Sequence, residues 1–367
     1  MNLAGYWILY LFPLLTVLSS VWAGDYLLTP VLVIVAFPLL DMLLGKDPGN
    51  PSRAENRQLL AQPFFRYILY LYVPVQLGMV LWSCYQVSHQ PLSALESFCL
   101  LISIGIVTSS LAINVAHELC HRSPALEQAL AKTLLFTVCY MHFHIEHRLG
   151  HHLRVGTPED PATARLGESV YGFFLRSVIG SYKSAWRIET DRLERKGRGL
   201  VSLDNQMIWF TALPLAFGLF LLSIWGWKAG LFFVLQSLLA VLTLETVNYF
   251  EHYGLERRRL PSGKYERVGI QHSWNSSHLL SNYFLLKLPR HADHHVHPGR
   301  RYQLLRTFEQ SPQLPSGYVG MIILSLLPPL WRRVMDPRVE AWRTAHGLEN
   351  PPHPATEELR LEDPCLS

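Results

Sequence analysis

Nine histidines fall into four clusters along the chain: His117-Glu-Leu-Cys-His121, Glu146-His-Arg-Leu-Gly-His-His152, Asn248-Tyr-Phe-Glu-His-Tyr-Gly254 and Arg290-His-Ala-Asp-His-His295. On a helix, residues i and i+4 share a face. His117 and His121 therefore point the same way. So do His147 and His151, with His152 beside them, and His291 and His295, with His294 at i+3. His252 stands alone. The chemistry these residue types support is metal ligation. Nine imidazoles exceed what one tetrahedral zinc uses, and suit two octahedral-leaning ions sharing a site. Imidazole accepts Zn, Cu, Fe and Ni, so ligand type alone does not choose the metal.

An acid stands beside the ligands every time: Glu118, Glu146, Glu251 and Asp293. Metal-bound histidines give their second ring N–H to a carboxylate or carbonyl, so the default role of these acids is orientation. Direct ligation by one of them is the alternative. No catalytic residue is expected beyond the ligands. The scattered histidines, His89, His142, His144, His272, His278, His297, His346 and His353, read as structural.

Something must bring the clusters together. Only 16% of the 367 residues are charged, against about 25% in soluble domains, so much of the chain has no water to face. Apolar runs long enough to cross a bilayer, about 20 residues, occur about six times: near 5–23, 26–45, 65–85, 97–116, 206–225 and 230–249. Trp22, Trp82, Tyr85, Trp225, Trp227 and Tyr249 mark their ends, as interfacial aromatics do. The loops at 24–25 and 86–95 carry no Lys or Arg, whereas twelve basic residues lie between His117 and Asp204 and fifteen follow Glu251. The positive-inside rule then makes both termini and both long segments cytoplasmic. The expectation is an all-α polytopic membrane protein, with about six transmembrane helices and a cytosolic histidine-rich metal-binding cap. Residues 1–349 read as a single domain and 350–367 as a flexible tail. Ligands gathered at one end of the spans argue against a transporter, which needs them at the bilayer midplane. The five cysteines form no C-x-x-C pair and read as packing thiols. Nothing suggests a nucleic-acid partner.

The motifs H-E-L-x-H, E-H-x-x-G-H-H, N-Y-x-E-H-Y-G-L and R-H-x-D-H-H resemble those of the bacterial integral-membrane alkane 1-monooxygenases, within the desaturase/hydroxylase superfamily. The flanks Thr157-Pro-Glu-Asp-Pro-Ala162, Pro298-Gly-Arg-Arg-Tyr-Gln303, Leu39-Leu-Asp41 and Asp47-Pro-Gly-Asn-Pro51 are similar too. The resemblance implies two non-haem Fe ions held by the nine histidines, and hydroxylation of the terminal carbon of an alkane with O2. It implies electrons from rubredoxin, reduced in turn by an NAD(P)H-dependent reductase, and a place in the bacterial inner membrane with the active site cytoplasmic. The alkane would arrive from the bilayer through an apolar tunnel. The alternative substrates for the same chemistry are an alkyl-aromatic, a terpene or a fatty acid.

The family also implies a bulky residue on the second span that limits chain length, with Leu28, Leu32 and Phe37 as candidates. Basic patches at Arg257, Arg258 and Arg259 and at Arg300, Arg301 and Arg306 lie within a few residues of the clusters. They are better placed to dock an acidic rubredoxin than Arg187, Arg192, Arg195, Lys196 and Arg198. The plainer reading is that all of them serve topology and anionic headgroups.

Overall fold

The computed structural model describes residues 3–348, and within them it has helices and no strand. Five helices are long and apolar enough to cross a membrane: α1 (Leu3–Ala23), α3 (Phe64–His89), α4 (Ala94–Cys120), α8 (Gln206–Trp225) and α9 (Trp227–His252). The sixth apolar run forms α2 (Leu28–Leu44). Its 17 residues make a rod of about 25 Å, short of a hydrocarbon core of about 30 Å. Gly24 turns the chain out of α1 at φ +61°, and Gly45 ends α2 at φ +73°. The tail expected from 350 onward, and Cys365 in it, lie outside the described residues.

Burial separates a central helix from peripheral ones. The apolar window of α4 is 72% buried, whereas that of α8 is 22% buried. Leu213, Leu215, Leu219 and Phe220 of α8 are exposed, as side chains facing lipid are. A capping box closes the first turn of α4, with Ser93 and Glu96 each accepting from the other's backbone N–H. α9 packs against α3, α4 and α8. Gly105 lets α4 and α9 approach: a Cβ there would sit 2.2 Å from Leu239 Cδ2, closer than any real contact.

The segments between the spans cover one end of this bundle. After His121 come α5 (Ala125–Phe136), a turn through Cys139 at φ +54°, the helical run α6 (143–154) and α7 (Val170–Arg195). After His252 come the short helices α10 (Leu279–Phe284), α11 (His291–Val296) and α12 (Tyr318–Ser325), then α13 (Pro328–Ala345). Cys84, Cys99 and Cys120 are buried and unbridged, as packing thiols should be, whereas Cys139 is exposed.

Candidate metal centre

His117 and His121 close α4, and His252 closes α9. α6 and α11 bring the other six to the same end. The nine histidines sort into two adjacent groups: His117, His121, His147, His152 and His294 in one, His151, His252, His291 and His295 in the other. Within each group the candidate ligand atoms all lie within 4.8 Å of one another. The rings of His152 and His295, one from each group, have centroids 4.5 Å apart.

The second cluster departs from the spacing argument. His147 and His151 do not share a group; His147 and His152 do. The cause is local winding. Residues His147–His151 form a π-helical turn, with the N–H of His152 bonding back to the carbonyl of His147. A π turn carries i→i+5 bonds and recurs at functional sites. It sets His147 and His152 together and turns His151 toward the second group. α11 is ordinary α-helix, so His291 and His295 stay together, while His294 reaches the first group. The lone His252 finds its partner across the fold, with its Nε2 3.2 Å from that of His291.

The spacing of the nitrogens fits a metal. Nε2 atoms face one another at 2.9 Å (His117–His294), 3.1 Å (His121–His147), 3.0 Å (His147–His152), 3.1 Å (His152–His294) and 2.9 Å (His291–His295). A neutral imidazole has one donor and one acceptor nitrogen, so His147 Nε2 cannot satisfy two other Nε2 atoms with one hydrogen. Ligands about 2.1 Å from an octahedral ion stand about 3.0 Å apart along an edge, and about 3.4 Å apart around a tetrahedral one. The observed spacings, 2.9–3.2 Å, are those of nitrogens gathered closely enough to share a cation. His151 Nε2 is buried without a hydrogen-bond partner, as a nitrogen reserved for a cation would be.

The charge state agrees. Burial first, and the neighbouring imidazoles second, hold His121, His147, His152, His291, His294 and His295 well below the ordinary histidine range. They are neutral at neutral pH, the form that binds metal. The unfolded chain, with ordinary histidines near about 6.5, takes up more protons than the folded one below that pH. The site's contribution to stability is therefore present above about 6.5 and lost as pH falls through it. Thermal stability should hold steady between pH 7 and 8 and fall progressively below about 6.5, while the protein that stays folded keeps these ligands neutral. Thermal stability undiminished at pH 5 would contradict this.

The acids divide. Glu251 Oε2 lies 3.3 Å from His291 Nε2, on the side where the nitrogens converge, and its other oxygen accepts from Tyr318 at 2.7 Å. That position would let it add an oxygen donor to a cation held by the second group. The other three bind arginines: Glu118 with Arg122 at 3.1 Å, Glu146 with Arg154 at 2.9 Å, and Asp293 with Arg300. Gly150 makes room for the second pair, since a Cβ there would lie 2.4 Å from both Arg154 Nη2 and Glu146 Oε1. These acids brace the loops around the ligands rather than the ligand rings.

The ring partners come from elsewhere. Asp160 Oδ2 meets His151 Nδ1 at 2.8 Å, and the carbonyl of His272 meets His252 Nδ1 at 3.2 Å. Burial lowers His151, but the Asp160 carboxylate more than offsets it and leaves His151 above its ordinary value. Asp160 sits in the Thr157–Ala162 run, whose sequence pattern was the only advance signal of its importance. The other flank motifs are clamps. Arg290, fully buried, donates to the carbonyls of Gly49 (3.0 Å), Asp47 (3.1 Å) and Leu305 (2.9 Å), fixing the start of α11. Arg122 donates to the carbonyls of Gly299 and Arg300. Asp41 accepts from the backbone N–H and hydroxyl of Ser281, tying α2 to α10.

An apolar cavity of about 50 Å³ opens onto these histidines. His117, His147, His291, Glu251 and Tyr318 form one end, and Ile113, Val247, Phe284, Val319 and Ile322 line its sides. Leu28, Leu32 and Phe37 do not line it. Phe37 packs behind Phe284, with ring centroids 5.1 Å apart.

Similarity to known proteins decides the family. The chain is 45% identical over 348 residues to alkane 1-monooxygenase 2 of Pseudomonas aeruginosa, covering 92% of each protein. The chain belongs to the alkane 1-monooxygenase family. It is also 40% identical to the alkane 1-monooxygenase of Acinetobacter baylyi, over 84% of this chain and 76% of that one. It is 28% identical to the xylene/toluene monooxygenase hydroxylase component XylM of Pseudomonas putida, over 91% and 89%. The fatty acid desaturase family model matches residues 93–325, which hold all four histidine clusters. As a family member the chain is a multi-pass membrane monooxygenase, and the two histidine groups are where its metal can bind.

The basic residues singled out for docking are not equivalent. Arg257 donates to the carbonyls of Glu266 (2.6 Å) and Leu153 (2.9 Å), and Arg300 bridges to Asp293. Arg301 is mostly buried and lies 3.8 Å from Glu127. Arg258 and Arg259 are exposed; the Arg258 side chain meets Glu266 at 3.4 Å and the Arg259 side chain meets the Gly263 carbonyl at 3.3 Å.

Proposed function

We propose that the chain hydroxylates the terminal carbon of alkanes, using O2, two non-haem irons and electrons from rubredoxin. Rubredoxin is reduced in turn by an NAD(P)H-dependent reductase. One observation carries the reading: an apolar cavity between α4 and α9 that ends on histidines of both groups, His117 and His147 of one and His291 of the other. An alkane has no polar handle, so only shape can present its end. Ser109 is eight residues before His117 on α4, so the lining runs about 12 Å along the bundle. Iron, when bound, supplies the activation of O2 and the insertion of one oxygen atom into a C–H bond. The chain excludes water with Ile113, Val247, Phe284 and Ile322, orients His151 through Asp160, and holds Glu251 toward the site through Tyr318. The excess of Lys and Arg at the histidine end supports a cytoplasmic site in a bacterial inner membrane.

Product analysis on purified protein with octane, hexadecane and p-xylene tests the reading. Primary alcohols from the alkanes are expected, and p-xylene as the sole substrate oxidised would overturn it. Thr243 and Ser110, at the cavity end away from the histidines, should set the length limit. Thr243→Phe should shift the product profile toward shorter alkanes with metal content unchanged. An unshifted profile would place the limit elsewhere.

Arg258 and Arg259 are the docking residues the geometry leaves exposed. Reversing both to Glu should slow rubredoxin-driven turnover at low salt, and added salt should narrow the gap, because screening sets in over about 10 Å at 0.1 M. Turnover insensitive to both charge and salt would assign these residues to the membrane surface.

A further inference from the structure

Glu245 lies on α9, seven residues before His252, and is 1% exposed. It is not a metal-group member, and no salt bridge involves it among the described residues. Its carboxyl is met by neutral donors alone: the Tyr140 hydroxyl at 2.8 Å, the Ser177 hydroxyl, and Asn248 Nδ2 at 3.4 Å. A buried carboxyl in a membrane helix with no cation beside it costs stability, and such groups mark proton or ion pathways. Beside it is a cavity of about 10 Å³, roughly what one water needs. Its walls include Glu245, Asn248, Tyr140, His147, His151 and Glu146. His147 and Asn248 also line the apolar cavity, so the small cavity stands between Glu245 and the site. On its far side, Glu146 pairs with Arg154, whose side chain is 28% exposed. One water-sized space thus joins Glu245, the Glu146–Arg154 pair and the candidate ligands His147 and His151.

The geometry points to Glu245 as a proton-relay residue, passing protons through this water-sized cavity to the metal site during O2 reduction. This rests on the monooxygenase reading above. The reaction balances as RH + O2 + 2 electrons + 2 protons → ROH + H2O. The C–H and O–O bonds break, C–O and O–H bonds form, the electrons come from the donor protein and the protons from solvent. Glu245 gives up its carboxyl proton across the cavity and regains one from the surface side, beside the Glu146–Arg154 pair. The titratable groups facing the cavity are Tyr140, Glu146, His147 and His151.

Glu245→Gln keeps the shape and most hydrogen bonds and removes proton exchange. In the full-length, metal-loaded protein it should leave metal content, thermal stability and the alkane KM unchanged. kcat should fall about 100-fold or more, the range for proton-transfer groups, and the solvent isotope effect on kcat should rise. Glu245→Asp should recover part of the rate. A readout independent of turnover is the infrared carbonyl band of a protonated carboxyl group. It should be present in wild type, shift in D2O and be absent from Glu245→Gln. Should Glu245→Gln fold poorly, Ser177→Ala removes one donor to the carboxyl and should move that band. Wild-type kcat and isotope effect in a folded Glu245→Gln protein would overturn the relay, as would a band that ignores D2O or Ser177→Ala. Wild-type protein that makes no alcohol would instead overturn the functional reading, leaving the infrared exchange to decide on Glu245.

Discussion

His294→Ala abolishes hydroxylation and removes metal from the first group; this is the largest effect expected of any single substitution. His294 Nε2 faces both His117 Nε2 at 2.9 Å and His152 Nε2 at 3.1 Å, so its loss opens the set on two sides. Alanine at any of the nine should abolish activity and reduce bound metal. The two groups make the expectation sharper, because truncating one should cost its own ion first. His294→Ala should retain metal in the group built by His151, His252, His291 and His295, and His291→Ala should do the reverse. The test is metal analysis beside single-turnover hydroxylation, on protein whose helix content matches wild type. A folded His294→Ala protein with full metal and wild-type rates would exclude that histidine from the ligand set.

Asp160→Ala should cost about 10- to 100-fold in metal affinity or turnover, the range for losing a carboxylate behind a ligating histidine. Asp160 is 2% exposed and holds His151 Nδ1 at 2.8 Å, while its oxygens also accept from Thr163 Oγ1 at 2.6 Å and the Ala162 N–H at 3.1 Å. The carboxylate keeps the proton on Nδ1 and frees Nε2 for the metal. Asp160→Asn is the stricter probe. It keeps the volume, but its amide could donate to Nδ1 and move the ring proton to Nε2, the wrong nitrogen for ligation. The expected order of metal affinity is wild type, then both variants, with Asn no better than Ala despite its closer shape. If Asn restores wild-type affinity, Asp160 serves packing alone.

Much of this was legible in the residues themselves. The apolar runs fixed the spans because a bilayer demands about 20 apolar residues, and five of six reached that length. The candidate ligands were legible because paired histidines gathered at the ends of spans suit metal binding. What the residues could not reveal was how the ligands divide. Spacing names the face of an α-helix, but the π turn at His147–His151 changed the winding and moved His151 to the other group. The four acids beside the histidines looked like ring partners, yet neighbours in sequence diverge around a helix. Three of them went to Arg122, Arg154 and Arg300 instead. The ring partners Asp160 and the His272 carbonyl arrived from other segments, as did Tyr140 and Ser177 around Glu245. Arg257 and Arg258 are adjacent and chemically identical, and only the fold decides that one is tied to backbone carbonyls while the other faces solvent. Local chemistry chose the residues and the metal-binding role. Long-range packing chose which atoms meet, because hydrogen bonds and ligand contacts form across space between segments whose separation in the chain carries no distance information.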